Sequence, residues 1–434
     1  MNVATKNINV YLFLLFIIIG GTYSFGLAWS NFYIATPFVK ITDSLLLFLY
    51  LFFVGSFYYK NKISYSKSPI KYYYFFVILF TFELIKNIVF SDASIPVLIN
   101  NVKNYYIVFL IFPLVKLIKN ENQVKLFING IILLGLINGL VYYFQFLTGI
   151  ELPASKGAYY EGIFRINHPG GNLMSISFFL VFARVITNYS RKLWLNYTLL
   201  LFFLSIFIIT LARGFLLGIA LGVILMMRWN FVQNTFSTIL YSFLMVVGLF
   251  LVGLLLISQL NFNFSSFNSR MQEGLEDINQ QEGAYKVRED MIIYKMDYIL
   301  QNHPLLGVGF SYKETETDER GNVLAESYND PLTVNNDSTY QNIVVITGYI
   351  GLLLWGLILL KIYLIGKRLF LRFKNTEWQY VSLALIGISL FLIIHGISSS
   401  YFNSPGLTFL TIITAFTFWI HKFALSKAND VKKN

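Results

Sequence analysis

Apolar runs long enough to cross a hydrocarbon layer of about 30 Å dominate this sequence. They fall near residues 8–28, 37–59, 71–90, 97–118, 124–148, 168–189, 194–210, 212–228, 236–260, 338–366, 377–398 and 402–421. A backbone inside lipid has to satisfy its own hydrogen bonds, so runs of this length become helices. The sequence therefore predicts an all-α, polytopic integral membrane protein of about twelve transmembrane helices. The opening stretch, MNVATKNINVYLFLLFIIIGG, is read as the first of them and not as a cleaved leader. Its apolar part continues past residue 20, and no small-residue cleavage site precedes a soluble domain.

Composition supports this class. Only 13% of residues are charged and the mean hydropathy is +0.61, whereas a soluble domain carries roughly 25% charged residues. The chain has no cysteine, which excludes disulfides, thiolate zinc sites and a thiol nucleophile. The net charge of +11 does not signal nucleic acid, because the basic residues cluster in alternate short loops, as positive-inside topology requires. Lys60, Lys62 and Lys67 follow the second run, Lys119 and Lys125 the fourth, and Arg191 and Lys192 the sixth. Arg228 ends the eighth run, Lys367, Arg368, Arg372 and Lys374 follow the tenth, and Lys422, Lys427, Lys432 and Lys433 come at the end. The loops between, at 29–36, 91–96, 149–167 and 399–401, hold few or no lysines.

Both termini are accordingly placed in the cytoplasm. The chain divides into helices 1–9 over residues 1–260, one large extracytoplasmic loop over 261–337, and helices 10–12 with a cytoplasmic tail over 338–434. Within the loop, GAYKVREDMIIYKMDYILQN at 283–302 reads as a helix lying against the membrane surface or the bundle. His303-Pro304 ends it, and Gly307 and Gly309 suit a tight turn.

Ionisable residues in membrane helices cost roughly 2.5–3.5 kcal/mol each on insertion scales, so those present usually serve a purpose. Here they collect at the outer ends: Lys40 with Asp43, Glu83 with Lys86, Lys103, Arg165, His168, Arg213 and His395. Arg184 falls instead near the cytoplasmic end, where snorkelling explains it. Each of the two i,i+3 pairs also suits simple charge neutralisation. The collective bias to one leaflet nevertheless differs from a transporter, whose polar site lies near the midplane. Arg213, in ITLARGFLLGIALG, offers a planar fork of donors suited to phosphate, or equally to lipid headgroups.

Three stretches in this order resemble the O-antigen ligase and repeat-unit polymerase superfamily of bacterial cell-surface glycan synthesis: FRINHPGGNLMS at 164–175, TLARGFLLG at 210–218, and the pair VREDMIIYKMDYILQNHPLLGVGFSY at 287–312 with NDSTYQNIVVITGYIGLLLWG at 336–356. The resemblance implies a multi-pass enzyme of the cytoplasmic membrane with its active site on the outer side. It would catalyse a metal-independent, inverting glycosyl transfer from an undecaprenyl-pyrophosphate-linked glycan, with no cofactor. By position it implies catalytic roles for Arg213, Arg288 and Asp337. Arg165, Lys40, Lys86, Lys103 and Tyr340 would bind pyrophosphate or glycan. Ligases of the family typically begin the tenth helix with His-Asn, whereas this chain has Asp337-Ser338, which favours a polymerase.

The chemistry is coherent: fixed arginines stabilise a departing diphosphate, and a carboxylate accepts the proton of an attacking hydroxyl. Each residue also has a plainer role open to it. Arg288 sits in VRED, where a surface ion pair is ordinary, and Asp or Ser at 337–338 routinely caps a helix. The alternatives are a ligase delivering glycan to a lipid core or protein, and a lipid-linked oligosaccharide flippase or other transporter. Expected partners are the lipid-linked glycan, membrane lipid, a flippase and a chain-length regulator, with no nucleic acid. A reporter active only outside the cytoplasm should work when fused after Asn279 and stay silent after Lys62 or Lys374. An inactive fusion at Asn279 would reverse the orientation.

Overall fold

The computed structural model describes residues 71–90, 103–118, 120–150, 156–160, 163–167, 171–189, 193–210, 213–233, 248, 283–309, 313–317, 323–328, 338–374, 376–398 and 404–433. The runs expected at 8–28 and 37–59 lie outside these residues, as does all of 236–260 except Gly248. Helix α1, Lys71–Phe90, coincides with its expected run. The fourth run is not one continuous α-helix: a 3-10 segment, Lys103–Leu110, leads into α2, Ile111–Leu117. Pro113 explains the change, since it lacks the N–H for an i→i−4 bond and its ring crowds the carbonyl one turn earlier.

Helix α3 spans Glu121–Thr148. It starts at a capping box, in which the Asn120 side chain accepts from the Gln123 N–H at 2.9 Å and Gln123 accepts from the Asn120 N–H at 3.3 Å. It stops at Gly149, whose φ of 67° closes the last turn in the left-handed region. Then follow α4 (Gly171–Ile186), α5 (Leu193–Ile209), α6 (Arg213–Gln233), α7 (Gly283–Asn302), α8 (Thr339–Arg372), α9 (Glu377–Ser398) and α10 (Ser404–Lys433). Two antiparallel hairpins that the sequence reading did not anticipate join the helices. Strand β1 (Lys156–Tyr160) pairs with β2 (Ile163–Asn167), and β3 (Lys313–Thr317) pairs with β4 (Val323–Tyr328). Each lies within a polar loop, where water can serve the outer edges.

Among the described residues five helices are long and apolar enough to cross a membrane: α3, Gly214–Phe231 of α6, α8, Trp378–Ile397 of α9 and Gly406–Phe423 of α10. The chain is a multi-pass membrane protein by this measure. Helix α1 shows why water is the wrong solvent. Tyr73, Phe76, Val77, Phe80 and Leu84 are buried, while Phe75, Ile78, Phe82, Ile85 and Val89 form an exposed stripe at spacings of three and four. A helix apolar on both faces suits lipid outside and protein inside.

Helix α9 lies at the centre, against α4, α6, α8 and α10. Glycines allow the closest approaches. A Cβ added at Gly222 of α6 would meet the Phe179 ring at 2.7 Å and the Gly387 carbonyl at 2.9 Å, and one at Gly387 would meet the Met226 sulfur at 2.4 Å. Such small-residue crossings supply the van der Waals contact that holds helices together in lipid. Helix α9 runs antiparallel to α4, with Phe391 against Phe179 and Tyr380 against Arg184. Ser177 Oγ donates to the Ile131 carbonyl at 3.0 Å, and Arg184 donates to Asn129 Oδ1 at 2.8 Å and to the Tyr380 hydroxyl at 3.1 Å. Arg184 is therefore a tether between α3, α4 and α9, where simple snorkelling was expected. Opposite this end, α4, α6 and α8 begin and α3, α5 and α9 finish. Gly222→Val should overpack the α6–α9 crossing and cost about 1–3 kcal/mol, read as a lower melting temperature in detergent. An unchanged midpoint would show that the crossing yields freely.

Candidate functional site

The third resemblance-bearing pair of stretches meets at a break inside α8. Gly348 has φ 66° and ψ −170°, values no helix contains. In an unbroken helix the Tyr349 N–H would donate to the Val345 carbonyl. Both groups turn instead to the segment after α7: the Tyr349 N–H donates to the Pro304 carbonyl at 3.0 Å, and the Val345 carbonyl accepts from the Val308 N–H at 2.8 Å. Gly307, itself at φ 65°, closes the turn by donating its N–H to the His303 carbonyl at 3.0 Å. The sequence NHPLLGVG thus fills the gap that TGYIG opens.

Helix α7 consequently lies along the first part of α8 and runs in the same direction. Gln341 Nε2 donates to the Met291 carbonyl at 3.5 Å, Tyr349 donates its hydroxyl proton to the Met296 carbonyl at 3.2 Å, and Ile299 packs with Val344 and Val345. Position 288 is one turn before Met291 and therefore level with the start of α8 at Ser338. Further along α7, Lys295 and Ile299 are 4% and 0% exposed.

The start of α8 is bound in turn to the end of α9. Ser338 is the N-cap: its Oγ accepts from the Tyr340 N–H at 3.3 Å and donates to the Gly396 carbonyl at 3.0 Å. The Tyr340 hydroxyl donates to the Ile393 carbonyl at 2.7 Å. Between these anchors His395 is buried, with the Phe215 ring edge-on at 5.1 Å and the Phe391 ring at 5.3 Å. Phe215 follows Arg213 by two residues, and a Cβ on Gly171 would lie 3.8 Å from its ring. All three resemblance-bearing stretches therefore converge on one end of the bundle through Phe215, His395 and Ser338.

The expected site residues divide as follows. Arg213 is the first residue of α6, and Arg288 lies in α7. Arg165 lies on β2, paired in register with Ala158, and β2 rests against α3. Asp337 and Lys40 lie outside the described residues. Lys103 opens the 3-10 segment, which packs against α10. Lys86 forms an ion pair with buried Glu83 at 2.5 Å, and α1 packs on α8 through Phe76 and Trp355. Tyr340 is a brace whose hydroxyl proton is committed to α9. Sequence reasoning overlooked two residues, Lys295 and the wedge role of His395. The first had a usable signal, its spacing of seven from Arg288; the second depends on partners far apart in sequence.

A helical, multi-pass membrane protein with its motif residues gathered at one end of the bundle is the class these observations define. Residues 198–356 match the family model for O-antigen ligase, and this segment runs from α5 through the break in α8. The similarity to the O-antigen ligase and polymerase superfamily is thereby shown over that part of the chain. No curated protein matches the chain at a significant level. His395→Ala should open the Phe215–Phe391 wedge at a cost on the order of 2 kcal/mol, while His395→Phe, which keeps the ring contacts, should melt nearer to the parent. Equal melting of all three would remove the wedge role.

Proposed function

We propose that this chain is a membrane glycosyltransferase that polymerises undecaprenyl-pyrophosphate-linked oligosaccharide repeat units into a surface polysaccharide. The observation that carries the reading is the meeting of α7, the start of α8 at Ser338 and the end of α9 near the start of α6, at one end of the bundle. In this reading about twelve helices span the bacterial cytoplasmic membrane, with both termini inside and the site facing outward. The acceptor hydroxyl attacks the anomeric carbon of the donor glycan as the bond from that carbon to the pyrophosphate oxygen breaks. The configuration inverts, and the departing diphosphate takes the electron pair.

Arg213 and Arg288 stabilise that developing charge, for which a bidentate fork is better than a point charge. Arg165 adds donors from the first hairpin, and Lys40, Lys86 and Lys103 attract anionic headgroups to the outer leaflet. Asp337 accepts the hydroxyl proton. Ser338 fills the capping position of α8, so the assignment asks no capping of Asp337. The lipid-linked donor arrives through a flippase, and chain length is set by a separate regulator. The ligase reading uses the same donor chemistry and differs only in the acceptor, and it rests on the family description.

The test is turnover of a lipid-linked repeat unit by purified variants of equal thermal stability. Arg213→Ala and Arg288→Ala should abolish product, with lysine restoring only part of it. Asp337→Asn should slow turnover by about 10²–10⁴. Full activity in the arginine variants would end the pyrophosphate role, and near-normal turnover by Asp337→Asn would end the base role.

A further inference from the structure

We infer that Gly307 and Gly348 form a two-part backbone lock that positions α7, with Arg288 and Lys295, against the start of α8; both glycines are positioning residues for the transfer reaction. The inference rests on the function proposed above for its catalytic consequence, but the lock itself stands on geometry alone. Each glycine occupies the left-handed region, at φ 65° and 66°, where a side chain is strained. Each also faces backbone and not flexible side chain. A Cβ on Gly307 would meet the Val345 carbonyl oxygen at 2.4 Å, the Gly348 nitrogen at 2.7 Å and the Val344 carbonyl oxygen at 2.8 Å. A Cβ on Gly348 would meet the Leu305 carbonyl oxygen at 2.3 Å and the Leu306 nitrogen at 2.6 Å. The two positions touch each other's loops, so a substitution at either one pushes α7 away from α8.

The hydrogen bonds make this contact an all-or-none fit. Displacing the turn by an ångström removes the partners of the Tyr349 N–H and the Val345 carbonyl together, and the helix break has no intrahelical substitute for them. From this lock α7 extends back along α8 through Tyr349 on Met296, Ile299 on Val344 and Val345, and Gln341 on Met291. The register at positions 295 and 288 is therefore set from the end of α7 at the lock, about two and about four turns away respectively. Lys295, buried on this same face, becomes a second cation of α7 held at the α8 contact. Positioning errors of about 1 Å in such a site cost roughly 10²-fold in rate.

The chain has no cysteine, so one introduced pair reports the register directly. Met291→Cys with Gln341→Cys, treated in membranes with a short bifunctional maleimide, should cross-link readily in the parent background. Adding Gly307→Ala or Gly348→Ala should slow cross-linking about tenfold or more and lower turnover of a lipid-linked repeat unit on the order of 10²-fold. Once the slow cross-link is complete, turnover should recover to within a few-fold of the parent. Gly356→Ala, on the same helix with nothing within 4 Å of its added Cβ, should change neither quantity. Unaltered cross-linking in the alanine variants would overturn the lock whatever the enzyme assay shows. Lost turnover that a completed cross-link does not restore would overturn the positioning role. A parent chain that cross-links normally but turns over no lipid-linked glycan would refute the proposed function and leave the lock intact.

Discussion

A peptide N–H or carbonyl without a partner inside lipid costs several kcal/mol, and that constraint shapes the whole molecule. It turns each long apolar run into a helix, and it makes any interruption of a helix depend on replacement partners. The break at Gly348 is where the constraint has most consequence. The Tyr349 N–H and the Val345 carbonyl, separated there, are both satisfied by the turn Pro304–Val308. Helix α8 can thus change direction only because a segment from the preceding polar loop completes it. A site built from loop and helix together follows from that dependence.

The two ends of the bundle are fastened by different chemistry. At one end Arg184 joins α3, α4 and α9 through Asn129 and Tyr380, with its guanidinium 4.9 Å from the Tyr380 ring centre. At the other, neutral contacts prevail: hydroxyls of Ser338 and Tyr340 on carbonyls of α9, and phenylalanine edges around His395. Such contacts fix backbone positions at the start of α8 and the end of α9. In the proposed function an anionic lipid-linked donor meets this end, and the register of α6, α7 and α8 sets where the residues assigned to it lie. The glycine crossings of α6 with α9 keep that frame stiff, because each leaves no room for a displaced helix to settle.

Hydropathy and charge order determined the class of this protein by themselves. A length of apolar sequence is a direct measure of the hydrocarbon it can cross, and lipid leaves the backbone no choice but helix. The runs at 71–90 and 377–398 were legible to the residue for that reason, and the helix at 283–302 from its apolar spacing. The choice of Arg213, Arg288 and Asp337 rests on residue chemistry and motif position. What only the tertiary structure decided was which groups meet. Ser338 and not Asp337 caps α8, Lys86 is tied to Glu83, and His395 joins stretches that are nearly two hundred residues apart. The two hairpins and the break at Gly348 were hidden as well. A hairpin of mixed polar residues has no apolar period to betray it, and a glycine in an apolar run reads as helix until its missing hydrogen bonds are found on another segment. Periodicity records the solvent that each residue faces. It carries no record of the partner on the other side of the contact.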